Sequence, residues 1–115
     1  VKLDEWRPGV LTRKLVGAFS KVKSLFFMEQ TFYPGKGAPL HVHQVDELLY
    51  IKSGALKVCI DKQDEVQEFN AATKHTAVIR SSYAHSVVNE TDSEHVLLVF
   101  FPHSDPFDLN ITKYL

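Results

Sequence analysis

The sequence predicts an all-β fold whose short antiparallel strands close into a barrel or pack as two facing sheets. Three observations carry this. Runs rich in β-branched and aromatic residues recur at even spacing, and turn signals such as Pro8-Gly9, Pro34-Gly35 and Ser53-Gly54 separate them. Leu56, Val58 and Ile60 alternate with Lys57, Cys59 and Asp61, the period-2 pattern of a half-buried strand. Leu25-Phe26-Phe27-Met28 is apolar on both faces, as in a strand covered on both sides or set with one face against a partner.

Taken in order, residues 1–7 have no clear period, and strands are expected over residues 10–19 and 22–33. A helix competes over 21–30, but the aromatic content and the nearby Pro34-Gly35 favour a strand. Residues 35–39 read as a loop, and Ser53-Gly54 as a hairpin turn between strands at 47–51 and 56–61. A charged tip spans 62–65, a short strand 66–69, and Asn70-Ala71-Ala72 turns the chain. Further strands are expected at 76–79, 85–89 and 95–101, with a polar turn at 90–93. Residues 107–115 alternate in a way that suits pairing with a sheet edge.

A chain of 115 residues with 44% hydrophobic residues can bury the core of one domain, here expected to span 1–115. The net charge of −1 and the dilution of the basic stretch 14–23 by Leu15, Val16, Phe19 and Val22 argue against a nucleic-acid partner. The lone Cys59 excludes an internal disulfide and fits a reducing compartment, so a cytoplasmic location is expected. No signal-peptide pattern is visible, although the chain starts at Val1. The longest apolar run, residues 96–102, falls far short of a membrane helix, so no membrane partner is expected.

The chemistry concentrates in His41-Val42-His43-Gln44-Val45-Asp46-Glu47. Residues at i and i+2 of a strand share a face, so two imidazoles there can aim at one point. Spacing alone reads equally well as two polar residues on a solvent face. Imidazole with carboxylate suits zinc, iron, nickel or manganese. Six residues of straight strand span about 20 Å, so Glu47 can join the histidines only if the chain turns at residues 44–46. An inward Glu47 ahead of Leu48, Leu49, Tyr50 and Ile51 would need a partner such as a cation.

Gly35, five residues, His41-Val42-His43, three residues, Glu47, six residues and Gly54 together resemble the first motif of the cupins at every fixed position. His85-Ser86-Val87-Val88-Asn89 resembles the end of the second cupin motif. The two core motifs thus span residues 35–54 and 74–89. The resemblance implies a single-domain jelly-roll β-barrel, also called a double-stranded β-helix, and a divalent transition metal held by His41, His43, Glu47 and His85. The glycine, proline and glycine usual in the second motif would fall at Lys74, Arg80 and Ser82, so the turn before His85 is made without them, and Ser82 is expected to choose another turn type.

Other residues have plainer readings. His75, His95 and His103 lack same-face partners at ligand spacing, and Asn89 reads as a turn or cap residue. Cys59 lies opposite Leu56, Val58 and Ile60, where a subunit contact is possible, and Tyr50 points away from Glu47 by parity. Phe26, Met28, Gln30 and Phe32 share a face and are the expected pocket residues. The resemblance implies a metal-dependent enzyme acting on a small organic substrate by oxygenation, isomerisation, lyase or cyclase chemistry. The Phe-rich composition favours an apolar or aromatic substrate. The alternatives are a non-catalytic ligand-binding or sensory module and a structural barrel. Small cupins commonly pair, so a homodimer is expected.

Overall fold

A computed structural model of the protein describes residues 3–115. Its strands are β1 (Leu3–Arg7), β2 (Val10–Val16), β3 (Phe26–Phe32), β4 (Gly37–His43), β5 (Glu47–Ser53), β6 (Ala55–Asp61), β7 (Val66–Ala72), β8 (Thr76–Ile79), β9 (Ala84–Val88), β10 (His95–Phe101) and β11 (Thr112–Tyr114). Six form one antiparallel sheet in the order β1-β2-β3-β10-β5-β8, and five form a second in the order β11-β4-β9-β6-β7. This is the jelly-roll arrangement that the motifs implied. Among the described residues no helix is long and apolar enough to cross a membrane.

Alternation explains how the sheets close on a core. In β3 every second residue is buried (Phe26, Met28, Gln30 and Phe32), and β5, β6 and β10 bury Leu49, Ile51, Leu56, Val58, Ile60, Leu97, Val99 and Phe101 in the same way. These join Val10, Ala77, Ile79 and Val87 in one apolar cluster fed by both sheets. Burying side chains of this size stabilises by about 1.5–3 kcal/mol each, enough to hold a small domain without a disulfide. Phe26, Phe101 and Phe107 meet edge to face, with ring centroids 5.6–6.1 Å apart.

Several expectations need correction. The strand expected over 10–19 stops at Val16, and Ala18–Ser20 is a single 3-10 turn closed by Ser20 Oγ donating to the Gly17 carbonyl. The strand expected from residue 22 begins at Phe26. Residues 37–39, read as loop because of Gly37 and Pro39, belong to β4. A break in register between Ala38 and His41 accommodates the proline, which has no N–H to give the ladder. Asn70-Ala71-Ala72 does not turn the chain but continues β7, paired with β6 through Ala55↔Ala72.

Ser53-Gly54 is not a hairpin turn either. β5 pairs with β10 and β8, whereas β6 pairs with β9 and β7, so Gly54 is a corner at which the chain leaves one sheet for the other. Its φ of +94° and the His95 ring, which would lie 1.8 Å from an added Cβ, are two reasons for glycine there. Of the alternating stretch at 107–115 only Thr112–Tyr114 pairs with a sheet edge, residues 107–111 being turns: β11 lies along β4, with Thr112 opposite His43 and Tyr114 opposite His41.

Candidate metal centre

His41 and His43 sit on β4 with both side chains inward, and His85 lies directly across the ladder from His41 on β9. Glu47 is the first residue of β5, in the facing sheet. Residues 44–46 carry the chain between the sheets, the turn that the spacing required. That turn is pinned at several points. Gln44 N–H donates to the Ile111 carbonyl (2.8 Å), Ser82 N–H to the His43 carbonyl (2.8 Å), and Ser81 N–H to Asp46 Oδ1 (2.8 Å). All four site residues are buried, from 1% exposed at His85 to 7% at Glu47.

One ligand atom from each of His41, His43, Glu47 and His85 lies within 4.8 Å of the others. Two ligands on opposite sides of one ion stand about 4.0–4.4 Å apart, given bonds of about 2.0–2.2 Å. Closing the cluster on an ion therefore takes only a small contraction.

Hydrogen bonding fixes which nitrogen each ring presents. His41 Nδ1 is 2.6 Å from the Pro39 carbonyl and His85 Nδ1 is 3.1 Å from the Tyr83 carbonyl, so both carry their proton on Nδ1. His43 Nδ1 is 2.6 Å from Thr112 Oγ1. The Nε2 atoms of His43 and His85 and Oε1 of Glu47 are buried without an aligned hydrogen bond. Yet Glu47 Oε1 lies 2.8 Å from His85 Nε2 and 3.5 Å from His43 Nε2. Buried ligand atoms that converge without aligned hydrogen bonds are what a shared cation satisfies. The residues fit a divalent transition ion, each histidine steadied through its other nitrogen.

The electrostatics agree. Burial, then the charge of His85, pulls His41 down to about 4, against the Pro39 carbonyl and Glu47. Arg7 adds a smaller push in the same downward direction. Burial pulls His43 to about 4 despite Glu47. Both are neutral near pH 7, the form that binds metal. Burial opposes the charge on Glu47, but the contact and charge of His85 hold its carboxyl below the usual range. His85 is likewise pulled down by burial and is raised on balance by Glu47.

The group opens on a cavity of about 20 Å³, room for about one water-sized group. The apolar lining includes Met28, Phe32, Leu49, Val87, Leu97 and Phe107; among the described residues Gln30 is the one polar lining side chain besides the four ligand candidates. Of the four expected pocket residues, Met28, Gln30 and Phe32 are in the wall. Phe26 is not; it packs in the core against Phe101 and Phe107. His75, His95 and His103 stay outside the site. His75 and His103 accept backbone N–H bonds from Ala72 and Asp105, and His95 pairs with Thr91. Tyr50 faces away from Glu47, as parity required, and Cys59 is half-buried on the outer side of β6. Reading the sequence did not find Thr112 or Phe107, because nothing local ties residues 107–112 to residue 43.

A sequence model of the cupin domain matches residues 28–101, well over half of the chain. The chain is a cupin. Comparison with curated proteins gives no match. Among solved structures, this cupin is similar to oxalate decarboxylase from Bacillus subtilis (TM-score 0.81, 21% identity, 93% of this chain and 28% of that one). It is also similar to an oxalate oxidase (TM-score 0.79, 18% identity, 97% of this chain and 58% of that one). The polyketide cyclase RemF from Streptomyces resistomycificus is a third (TM-score 0.75, 20% identity, 89% of this chain and 73% of that one). At such identities the likeness is one of fold, and this cupin spans well under two thirds of the oxalate enzymes. It departs from its family in the turns on either side of β8. Lys74 and Ser82, which stand where the second motif has glycine, keep positive φ (69° and 72°). Ser82 thus does not choose another turn type. It holds a left-handed backbone, with its hydroxyl donating to Gln44 Oε1 (3.1 Å).

Proposed function

We propose that this cupin is a metal-dependent enzyme in which His41, His43, Glu47 and His85 hold one divalent transition ion and a small organic molecule reacts beside it. The observation that carries the reading is the set of buried Nε2 and carboxylate atoms that converge without aligned hydrogen bonds. When bound, such an ion supplies Lewis acidity toward a substrate oxygen, or redox chemistry if it is iron or manganese. The protein supplies the dry apolar wall and a single amide. Gln30, with Nε2 donating to Thr12 Oγ1 (3.1 Å), is held where it can orient a substrate oxygen. Among the described residues no Lys or Arg lines the cavity. That favours a neutral carbonyl or enol, on an apolar or aromatic body, over a free dicarboxylate such as oxalate. The small cavity takes the reacting end of the substrate. Isomerase, lyase, cyclase and oxygenase chemistry all fit this arrangement.

Elemental analysis after reconstitution with Mn, Fe, Ni or Zn tests the reading. One ion per chain, lost in His41→Ala and His85→Ala, is expected; no ion in any preparation would refute it. A second reading, a non-catalytic binding module, is favoured by one fact: among the described residues every titratable side chain in the lining belongs to the ligand set, so none of them remains as a free acid or base. Stoichiometric metal, ligand-induced thermal shifts and no turnover across enols, phenols and small oxo acids would select it.

The chain is proposed to work as one domain and as a homodimer. Support for pairing comes from the outer face of the six-stranded sheet, where Leu25 and Val78 are exposed (41% and 62%) beside the stacked Phe27 and Phe100 rings (4.3 Å). Light scattering of Val78→Lys against wild type checks this: loss of a dimer supports that face, and a monomeric wild type refutes it.

A further inference from the structure

We infer that Thr112 is a positioning residue of the metal centre: from β11 it fixes the tautomer of His43, so that Nε2 turns its lone pair toward the ion. The inference rests on the metal-centre reading above.

Thr112 is 1% exposed, lies opposite His43 in the β11–β4 ladder, and places Oγ1 2.6 Å from His43 Nδ1. A hydroxyl has one proton to give. That proton is committed to the carbonyl oxygen of Pro106, which can only accept. The Thr112 oxygen therefore meets His43 with a lone pair, and the proton between them belongs to Nδ1. A neutral imidazole protonated at Nδ1 has its lone pair at Nε2, the atom that faces Glu47.

His43 differs here from its neighbours. His41 and His85 take the same tautomer from the carbonyls of Pro39 and Tyr83, each two residues away on its own stretch of backbone. In those contacts the partner is a backbone carbonyl and no other side chain takes part. His43 alone depends on a side chain 69 positions away in the chain. The segment that delivers it is docked at both ends of the pairing, by Gln44 N–H to the Ile111 carbonyl and Leu115 N–H to the Leu40 carbonyl. The orientation of His43 is thus set only when β11 is in place.

Nitrogen-15 spectra of the metal-free protein at neutral pH read each histidine tautomer, and titration with Co²⁺ reads affinity. In wild type His43 should be protonated on Nδ1. Thr112→Val keeps the shape and removes the hydroxyl. It should move His43 toward the Nε2-protonated form and weaken Co²⁺ binding by about 10- to 100-fold, the usual effect of losing such a partner. His41 and His85 should not change. Thr112→Ser, which keeps the hydroxyl, should restore both readouts, as a merely space-filling methyl would not. His43 protonated on Nε2 in wild type would overturn the inference, and so would Thr112→Val with wild-type tautomer and affinity. Wild type that shows the Nδ1 form yet binds no Co²⁺ would remove the metal reading while supporting the hydrogen-bond direction drawn here.

Discussion

Replacing Gly37 by Ala should pull the metal centre apart without touching a ligand. Gly37 pairs with Val88 where β4 meets β9, the two strands that carry the three histidines of the site. A Cβ there would lie 2.1 Å from the Val87 carbonyl oxygen and 2.7 Å from the Val88 Cα. Both are backbone atoms, so no rotamer change relieves the contact. Reaching an ordinary separation of more than 3 Å requires the strands to part by about 1 Å. Overpacking of this kind costs about 1–3 kcal/mol, and the stretched ladder bonds add about 1 kcal/mol. For a domain of this size ~3 kcal/mol lowers the melting temperature by roughly 10 °C. Metal affinity should fall as well, because ligand distances tolerate only about 0.2 Å. The control is Gly35→Ala. Gly35 has nothing within 4 Å of an added Cβ, only a φ of +74°, so it should cost about 1 kcal/mol and leave metal affinity unchanged. Melting by circular dichroism and calorimetric metal titration supply both readouts. If Gly37→Ala melts within a degree of wild type and binds metal equally well, the β4–β9 approach is not what holds the histidines together.

Three further outcomes are expected. Metal-free protein should lose stability as the pH falls from 6.5 toward 4. His41 and His43 sit at about 4 when folded against an ordinary 6.5, so the unfolded chain binds more protons in that window. Each gap is worth at most ~3.4 kcal/mol. His85 works the other way, since its raised value gives stability that is present below 6.5 and lost as pH rises through its folded value. Lowered Glu47 adds a further loss below 4.5. Urea titrations at pH 7 and 4.5 measure the balance; the two lowered histidines are expected to outweigh His85, and a protein more stable at pH 4.5 than at pH 7 would contradict the burial of neutral imidazoles. Ser82→Gly should match or exceed wild type by up to ~1 kcal/mol in thermal melts, as relief of the positive φ outweighs the exposed bond to Gln44, whereas Ser82→Val should lose ~2 kcal/mol. Asn89→Leu should cost ~3 kcal/mol, because Asn89 is fully buried and donates to the Phe32 and Ser93 carbonyls while accepting from Thr91. Calorimetry on the folded fraction should then show metal affinity within twofold of wild type, since Asn89 touches no ligand.

The sequence by itself determined β6 and the inward face of β3, because a period of two survives in any antiparallel sheet whatever its partners, whereas the uniformly apolar run of β10 showed a strand but not which of its residues face the core. It also determined that His41 and His43 share a face and that a turn must precede Glu47, since both follow from the reach of the chain. Local patterns failed where the deciding contact was distant. Gly54 looked like a hairpin residue because glycine marks any sharp turn; only the pairing of β5 with β10 and of β6 with β9 makes it a corner between sheets. Phe26 shared the inward face of Met28 and Gln30, but the position of Phe107 decided that it packs in the core and not in the cavity wall. The positive φ at Lys74 and Ser82 is imposed by the fold against the preference of both residues. Tertiary structure alone brought Thr112 to His43, because a hydrogen bond across 69 residues has no local period to betray it.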